Sequence, residues 1–173
     1  MKKFWGTTLL ILFFIAIDFI TKTYILYMCD TSIFPLEFYG DYKYLYPSSY
    51  LIKTVSPFFD IFLVWNKGIS FSMLSSNSQL VRWGLVVFAL LIVIYLLRVL
   101  KKERNDFIRL SLILIIAGAL GNIIDRIRYG AVIDFLDFHI GTYHWPAFNF
   151  ADVFICVGVG LILIHSIFFH KKS

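Results

Sequence analysis

The sequence predicts a helical membrane protein: a bundle of four transmembrane helices carrying a small sheet on its outer surface. Three observations predict it. The 173-residue chain is 60% hydrophobic with a mean hydropathy of +0.80, which excludes an ordinary soluble domain and a disordered one. Four segments, 4–27, 80–100, 108–124 and 150–169, are apolar over or close to the ~20 residues that a membrane span requires. These runs are continuous, unlike the alternations of about 10 residues that mark barrel strands. Between the first two lies Phe58–Trp65, an aromatic and β-branched run with the composition of a strand.

The formal net charge of +5 reports topology. Lys2 and Lys3 precede the first span, Lys101, Lys102, Arg104 and Arg109 lie between the second and third, and Lys171 and Lys172 close the chain. Four crossings put all three clusters on one side. Lys and Arg in short loops mark the cytoplasmic face, so both termini are expected inside. No basic stretch is interleaved with stacking aromatics on a polar surface, which excludes a nucleic-acid interface.

In chain order, Lys2-Lys3 followed by an apolar run resembles a secretory signal peptide. Asp18 and Lys22 interrupt that run, and bulky Leu26-Tyr27-Met28 stand where cleavage needs small residues, so the first helix is expected to be uncleaved. Asp18 and Lys22 share a helix face at i, i+4. They read either as a mutually neutralising pair facing the bundle interior or as direct contacts to a substrate. An outer segment then runs to about residue 77 and holds Pro35, Pro47 and Pro57. Residues 30–56 lack a period and read as loop. After the strand at 58–65, Asn66-Lys67-Gly68 reads as a turn and Ile69–Met73 as a returning strand.

The third span, Ile108–Ile124, has 17 residues. That is about 25 Å at 1.5 Å per residue, against a hydrocarbon core of about 30 Å. Asn122 and Asp125 are therefore expected near its outer end, with Arg126 beside them. Gly118 and Gly121 suit close helix packing in lipid. The Asn122/Asp125/Arg126 group reads equally as a helix cap that holds the following loop. Residues 127–148 form a second outer connection, in which Tyr143, His144 and Trp145 suit an interfacial anchor. The fourth span begins near Asn149. Asp152 is then about one turn inside the outer boundary, and Asp134 lies in the connection before it. No internal repeat supports an inverted-repeat transporter.

An ionisable group beside lipid is costly and marks function. Two carboxylates held close together share a proton, and a water between them can be activated by the ionised member while the protonated one polarises a carbonyl. Asp134 and Asp152, brought to one depth by the topology, are the candidates. Other chemistry finds less support. His139 and His144, and His165 and His170, lack the spacing of a helical zinc site, so no metal is expected. Ser70 and Ser72 have no nucleophile-elbow context. Cys29 and Cys156 make no disulfide framework, and Cys156 reads as a buried apolar residue. Two other functions remain open. A proton-coupled transporter would use Asp18, Asp125, Asp134 and Asp152 as a relay, but the cytoplasmic halves of spans two and four lack the carboxylates it needs. A membrane scaffold would not require two aspartates at one depth.

The motifs resemble those of lipoprotein signal peptidase (signal peptidase II), a family of bacterial membrane aspartyl peptidases. They are Asp18-x-x-x-Lys22, Asn66-x-Gly68-x-x-Phe71-Ser72, Gly118-x-x-Gly121-Asn122-x-x-Asp125-Arg126, Val132-x-Asp134-Phe135 and Phe148-Asn149-x-Ala151-Asp152. The resemblance covers nearly the whole chain. It implies one integral membrane peptidase domain over 1–173, four transmembrane helices, an outer β-cradle within 30–77 and a short interfacial half-helix over 137–148. It also implies Asp134 and Asp152 as the catalytic pair. Asp18, Lys22, Asn66, Gly118, Asn122, Asp125, Arg126 and Asn149 would then line or support the site. The implied substrates are diacylglyceryl-modified prolipoproteins, cut before the modified cysteine in the bacterial inner membrane. The enzyme is expected to be a monomer among membrane lipids, without metal or cofactor. Residues 30–56 are longer than the family pattern needs.

Overall fold

The computed structural model describes residues 2–28, 49–68 and 79–169. The element order is α1 (Lys2–Met28), β1 (Ser49–Ser56), β2 (Phe59–Asn66), α2 (Gln79–Lys102), α3 (Asp106–Tyr129), β3 (Val132–Ile140), β4 (Tyr143–His144) and α4 (Phe150–Phe169). Four stretches, Gly6–Met28, Gln79–Lys102, Asp106–Tyr129 and Phe150–Phe168, are long and apolar enough to cross a membrane. The four expected spans are all present. The chain divides into two compact units: residues 1–18, 87–123 and 150–173, and residues 19–86 and 124–149.

In the first unit the apolar core is drawn mainly from α3, with Leu112, Ile113, Leu114, Ile116 and Ala117 buried beside Val93 and Leu100 of α2. Asn105 caps α3, its Oδ1 accepting the Phe107 N–H at 2.9 Å. Arg109 donates to the carbonyls of Leu100 and Glu103 and to Thr7 Oγ1, so this basic residue also ties the α2–α3 turn to α1. Helices α3 and α4 approach closely at glycines. A Cβ on Gly118 would collide with the Ala151 carbonyl, and one on Gly158 would lie 2.6 Å from the Ser111 carbonyl. This is the expected use of small residues between membrane helices. Cys156 is exposed on α4, which corrects its expected burial. Cys29 lies outside the described residues.

The second unit carries the sheet, in the order β1-β2-β3-β4, with every described pair antiparallel. A two-residue turn at Pro57-Phe58 joins β1 to β2. Leu63, Val132, Ile133 and Phe135 of the sheet are buried, as are Ile25 and Val86, and β3 is buried on both faces over Val132–Phe135.

Four expectations change. Residues 49–56, read as loop, are strand β1, whose partner is β2. The returning strand at 69–73 lies outside the described residues. The other neighbour of β2 is β3, so the sheet is not confined to 30–77. The half-helix expected over 137–148 is instead the rest of β3, a turn at Gly141-Thr142 and β4. Gly141 adopts φ +59°, which suits a tight turn, and Phe148 exchanges backbone hydrogen bonds with Leu136, keeping the returning segment extended. The third span is not short either. Helix α3 has 24 residues, about 36 Å long, because its polar end continues the helix to Tyr129 and closes on Gly130. Gly130 has φ +75° and donates its N–H to the Arg126 carbonyl at 3.1 Å, an αL cap.

Candidate active site

Asp134 sits in β3 and is 2% exposed. Its position follows from register. Val64 pairs with Asp134 and Asn66 with Val132, so Asn66 and Asp134 are diagonal neighbours on one face, within reach for a polar pair. Asn66 Nδ2 donates to Asp134 Oδ2 at 2.9 Å. The second oxygen is held from the far end of the connection. Phe148 pairs with Leu136 across an antiparallel bridge, which carries the next residue, fully buried Asn149, back to β3. Asn149 Nδ2 donates to Asp134 Oδ1 at 2.7 Å. Both carboxyl oxygens therefore accept from side-chain amides.

Two further sets of contacts support this arrangement, one at β3 and one at the Asn66 turn. Lys22 Nζ lies 2.8 Å from Asp125 Oδ2, with both side chains at most 5% exposed. The same Asp125 oxygen accepts the Ile133 N–H at 3.2 Å. A buried pair is tolerated only when its remaining hydrogen-bonding capacity is used, and here part of it holds the residue next to Asp134. Arg126 Nη2 donates to the Gly68 carbonyl at 2.8 Å, and the Gly68 N–H donates to Asn66 Oδ1 at 3.0 Å. The bond from Gly68 N–H to Asn66 Oδ1 makes an Asx turn where a turn was expected, at 66–68.

Asp152 is in the first turn of α4 and is half-buried. Asn122 Nδ2 of α3 donates to its Oδ1 at 2.8 Å. A carboxylate there also meets the positive end of the helix dipole. Asp18, 1% exposed, accepts the Ala151 N–H through Oδ1 at 2.9 Å. It thus satisfies an N-terminal donor of α4 that the helix itself leaves orphaned. Gly121 makes room for it, since a Cβ there would lie 2.5 Å from Asp18 Oδ2.

The sequence-derived residues thus assemble in two groups. Asn66, Asp125, Arg126, Asp134, Asn149 and Lys22 belong to the second unit. Asp18, Gly118, Asn122 and Asp152 belong to the first. Main-chain groups were missed: the Gly68 N–H and carbonyl, and the N–H groups of Ile133 and Ala151. No side-chain signal marks them, although Gly68 and Ala151 fall inside the motifs. In the sheet, His139 stacks on His144 at 4.8 Å, and each faces an aspartate, Asp60 and Asp137. Among the described residues no group of three or more His, Cys, Asp or Glu is arranged to hold a metal ion.

A family model described as signal peptidase (SPase) II matches residues 10–168, a stretch that contains every residue of both groups. The chain belongs to the signal peptidase II family. It is therefore a peptidase of the aspartic class, and the family settles the choice against the relay and scaffold readings. Similar curated proteins include the lipoprotein signal peptidase of Polynucleobacter necessarius subsp. necessarius (strain STIR1), 46% identical over 112 residues, covering 64% of this chain and 69% of that protein. Another is the lipoprotein signal peptidase of Burkholderia mallei (strain SAVP1), 47% identical over 115 residues, covering 65% of this chain and 68% of that one. Two solved structures of a bacterial membrane enzyme, obtained by the in meso method at 2.3 and 1.9 Å resolution, superpose with TM-scores of 0.70 and 0.69. They are 29% and 28% identical to the chain, cover 97% of it, and are covered over 93% and 94% of their own lengths.

Proposed function

We propose that this family member removes signal peptides from prolipoproteins, cutting on the N-terminal side of a diacylglyceryl-modified cysteine, with Asp134 and Asp152 as the catalytic pair. The observation that carries the reading is the treatment of these two carboxyls. In an otherwise apolar chain, each is oriented by asparagine amides from the matching motifs: Asp134 by Asn66 and Asn149, Asp152 by Asn122. In the proposed reaction the pair shares one proton. The ionised member takes a proton from water as the oxygen attacks the scissile carbonyl, and the protonated member gives its proton to the carbonyl oxygen. Collapse of the tetrahedral intermediate returns a proton to the leaving amine, and the dyad is restored. The chemistry uses side chains and water alone.

The whole chain acts as one peptidase domain in this reading, and every proposed group comes from one copy, so a monomer suffices. The basic clusters support cytoplasmic termini, and with them reacting groups toward the outer face of the bacterial inner membrane. There a lipid anchor on the substrate would hold the scissile bond at a fixed depth, a proximity effect. The test incubates purified enzyme with a lipidated and a non-lipidated preprotein. Cleavage of the lipidated form alone is expected, and Asp134→Asn and Asp152→Asn should each lower the rate by about 10²–10⁴-fold, the usual contribution of a positioned acid or base. Substantial cleavage by either variant refutes the pair, and equal cleavage of both preproteins refutes the lipid requirement.

A further inference from the structure

We propose that Arg82 is a positioning residue for Asp134, acting through the end of α3; this rests on the catalytic reading of Asp134. Arg82 is the fourth residue of α2. A cation in the first turns of a helix opposes the helix dipole, and within α2 Arg82 makes only a long 3.4 Å bond to Gln79 Oε1 and lies 5.1 Å from the Trp83 ring centre. Its short contacts lie with α3. Nε donates to the Arg126 carbonyl at 2.8 Å and Nη2 donates to the Ile127 carbonyl at 2.8 Å. These belong to the last turn of α3, where carbonyls lack intrahelical donors and a cation is favoured. The Gly130 N–H reaches only the Arg126 carbonyl. Arg82 supplies a second donor there and one to Ile127, in the two-pronged geometry of a guanidinium.

What this cap orients is the residue whose carbonyl it binds. The Arg126 side chain donates to the Gly68 carbonyl, the Gly68 N–H donates to Asn66 Oδ1, and Asn66 Nδ2 donates to Asp134 Oδ2. Hydrogen bonds therefore link Arg82, Arg126, Gly68 and Asn66 in turn to one oxygen of Asp134, passing along the Arg126 side chain and through Gly68. A cap that served only the helix would affect stability. A positioning residue affects turnover, because small displacements of a reacting group are expensive in rate.

The test compares wild type, Arg82→Lys, Arg82→Gln, Asn66→Ala and the Arg82→Lys/Asn66→Ala double variant on a lipidated preprotein, with Asp134→Asn alongside. Both Arg82 variants are expected to lose roughly 10- to 100-fold in kcat, the scale of a small misplacement, with KM within about twofold and the unfolding temperature close to wild type. Lysine keeps the charge but lacks the fork, so it should not rescue. The double variant should be no slower than Asn66→Ala, since both changes break one series. Wild-type kcat in Arg82→Lys and Arg82→Gln beside an inactive Asp134→Asn overturns this proposal alone, as do multiplying losses in the double variant. Failure of both variants to fold also overturns it, making Arg82 a fold determinant. An active Asp134→Asn overturns the catalytic reading and this proposal with it.

Discussion

The surroundings of Asp134 and of Asp152 are built by different means. Asp134 lies in a strand whose position is set by polar side chains: two asparagine amides on its oxygens, and a buried Lys22–Asp125 pair holding the N–H of Ile133. Asp152 lies at the start of a helix that is positioned by close backbone approach. Gly118 admits the Ala151 carbonyl, Gly121 admits Asp18, and Asp18 holds the Ala151 N–H. The difference teaches that a carboxyl in a strand needs side-chain partners on several sides, whereas one at a helix N-terminus gains much of its orientation from the helix. The first arrangement is vulnerable to loss of a partner and the second to added volume.

The largest effect should come from breaking the ion pair on the strand side. Lys22→Met leaves Asp125 buried without its cation, a change that costs about 3–5 kcal/mol. Thermal unfolding in detergent should register it, and adding Asp125→Asn should recover part of the loss while keeping an acceptor for Ile133. A Lys22→Met protein as stable as wild type would mean that the strand does not depend on the pair. On the helix side, Gly118→Ala adds one methyl against a main-chain carbonyl that cannot rotate away, and overpacking of this kind costs about 1–3 kcal/mol. An unchanged unfolding temperature for Gly118→Ala would remove the contrast between the regions. The most discriminating comparison, which includes the smallest effect of all, pits Asn66→Ala against Asn122→Ala. The first strips a donor from the buried Asp134 carboxyl, worth about 1.5–3 kcal/mol if that carboxyl is charged. The second strips one from half-buried Asp152, where water can replace it, and should cost about 1 kcal/mol or less. Equal losses would show that the two carboxyls depend on side-chain donors alike.

The four spans were legible because a membrane helix leaves a long, continuous apolar run, and their ends were read to within a few residues except in α3. There, Asn122, Asp125 and Arg126 were taken as the end of the helix because they are polar. They continue it because several of their side chains find partners: Asp152 for Asn122, Lys22 for Asp125 and Gly68 for Arg126. Strand β2 was legible from its composition. Strand β1 was hidden because Ser, Lys and Thr in Ser49–Ser56 carry no clear alternation, and β3 was overlooked because its pairing partner, β2, lies some 70 positions earlier. The side-chain members of both groups were all singled out in the sequence, most of them because a polar residue in an apolar chain declares itself. Arg82 was not singled out, although an arginine in the first turn of a span, against its own dipole, is a signal of the same kind.

By itself, then, the sequence determined that the chain spans a membrane four times and which polar side chains are exceptional, because hydropathy and the cost of charge near lipid are local properties of composition. Only the tertiary structure decided who holds whom: that Asp18 caps α4, that Lys22 meets Asp125, that Asn66 and Asn149 converge on Asp134 from positions on either side of it in the sequence, and that β2 pairs with β3. Those partnerships depend on strand register and close helix approach, which are set by packing between segments distant in sequence and leave no periodicity within either one.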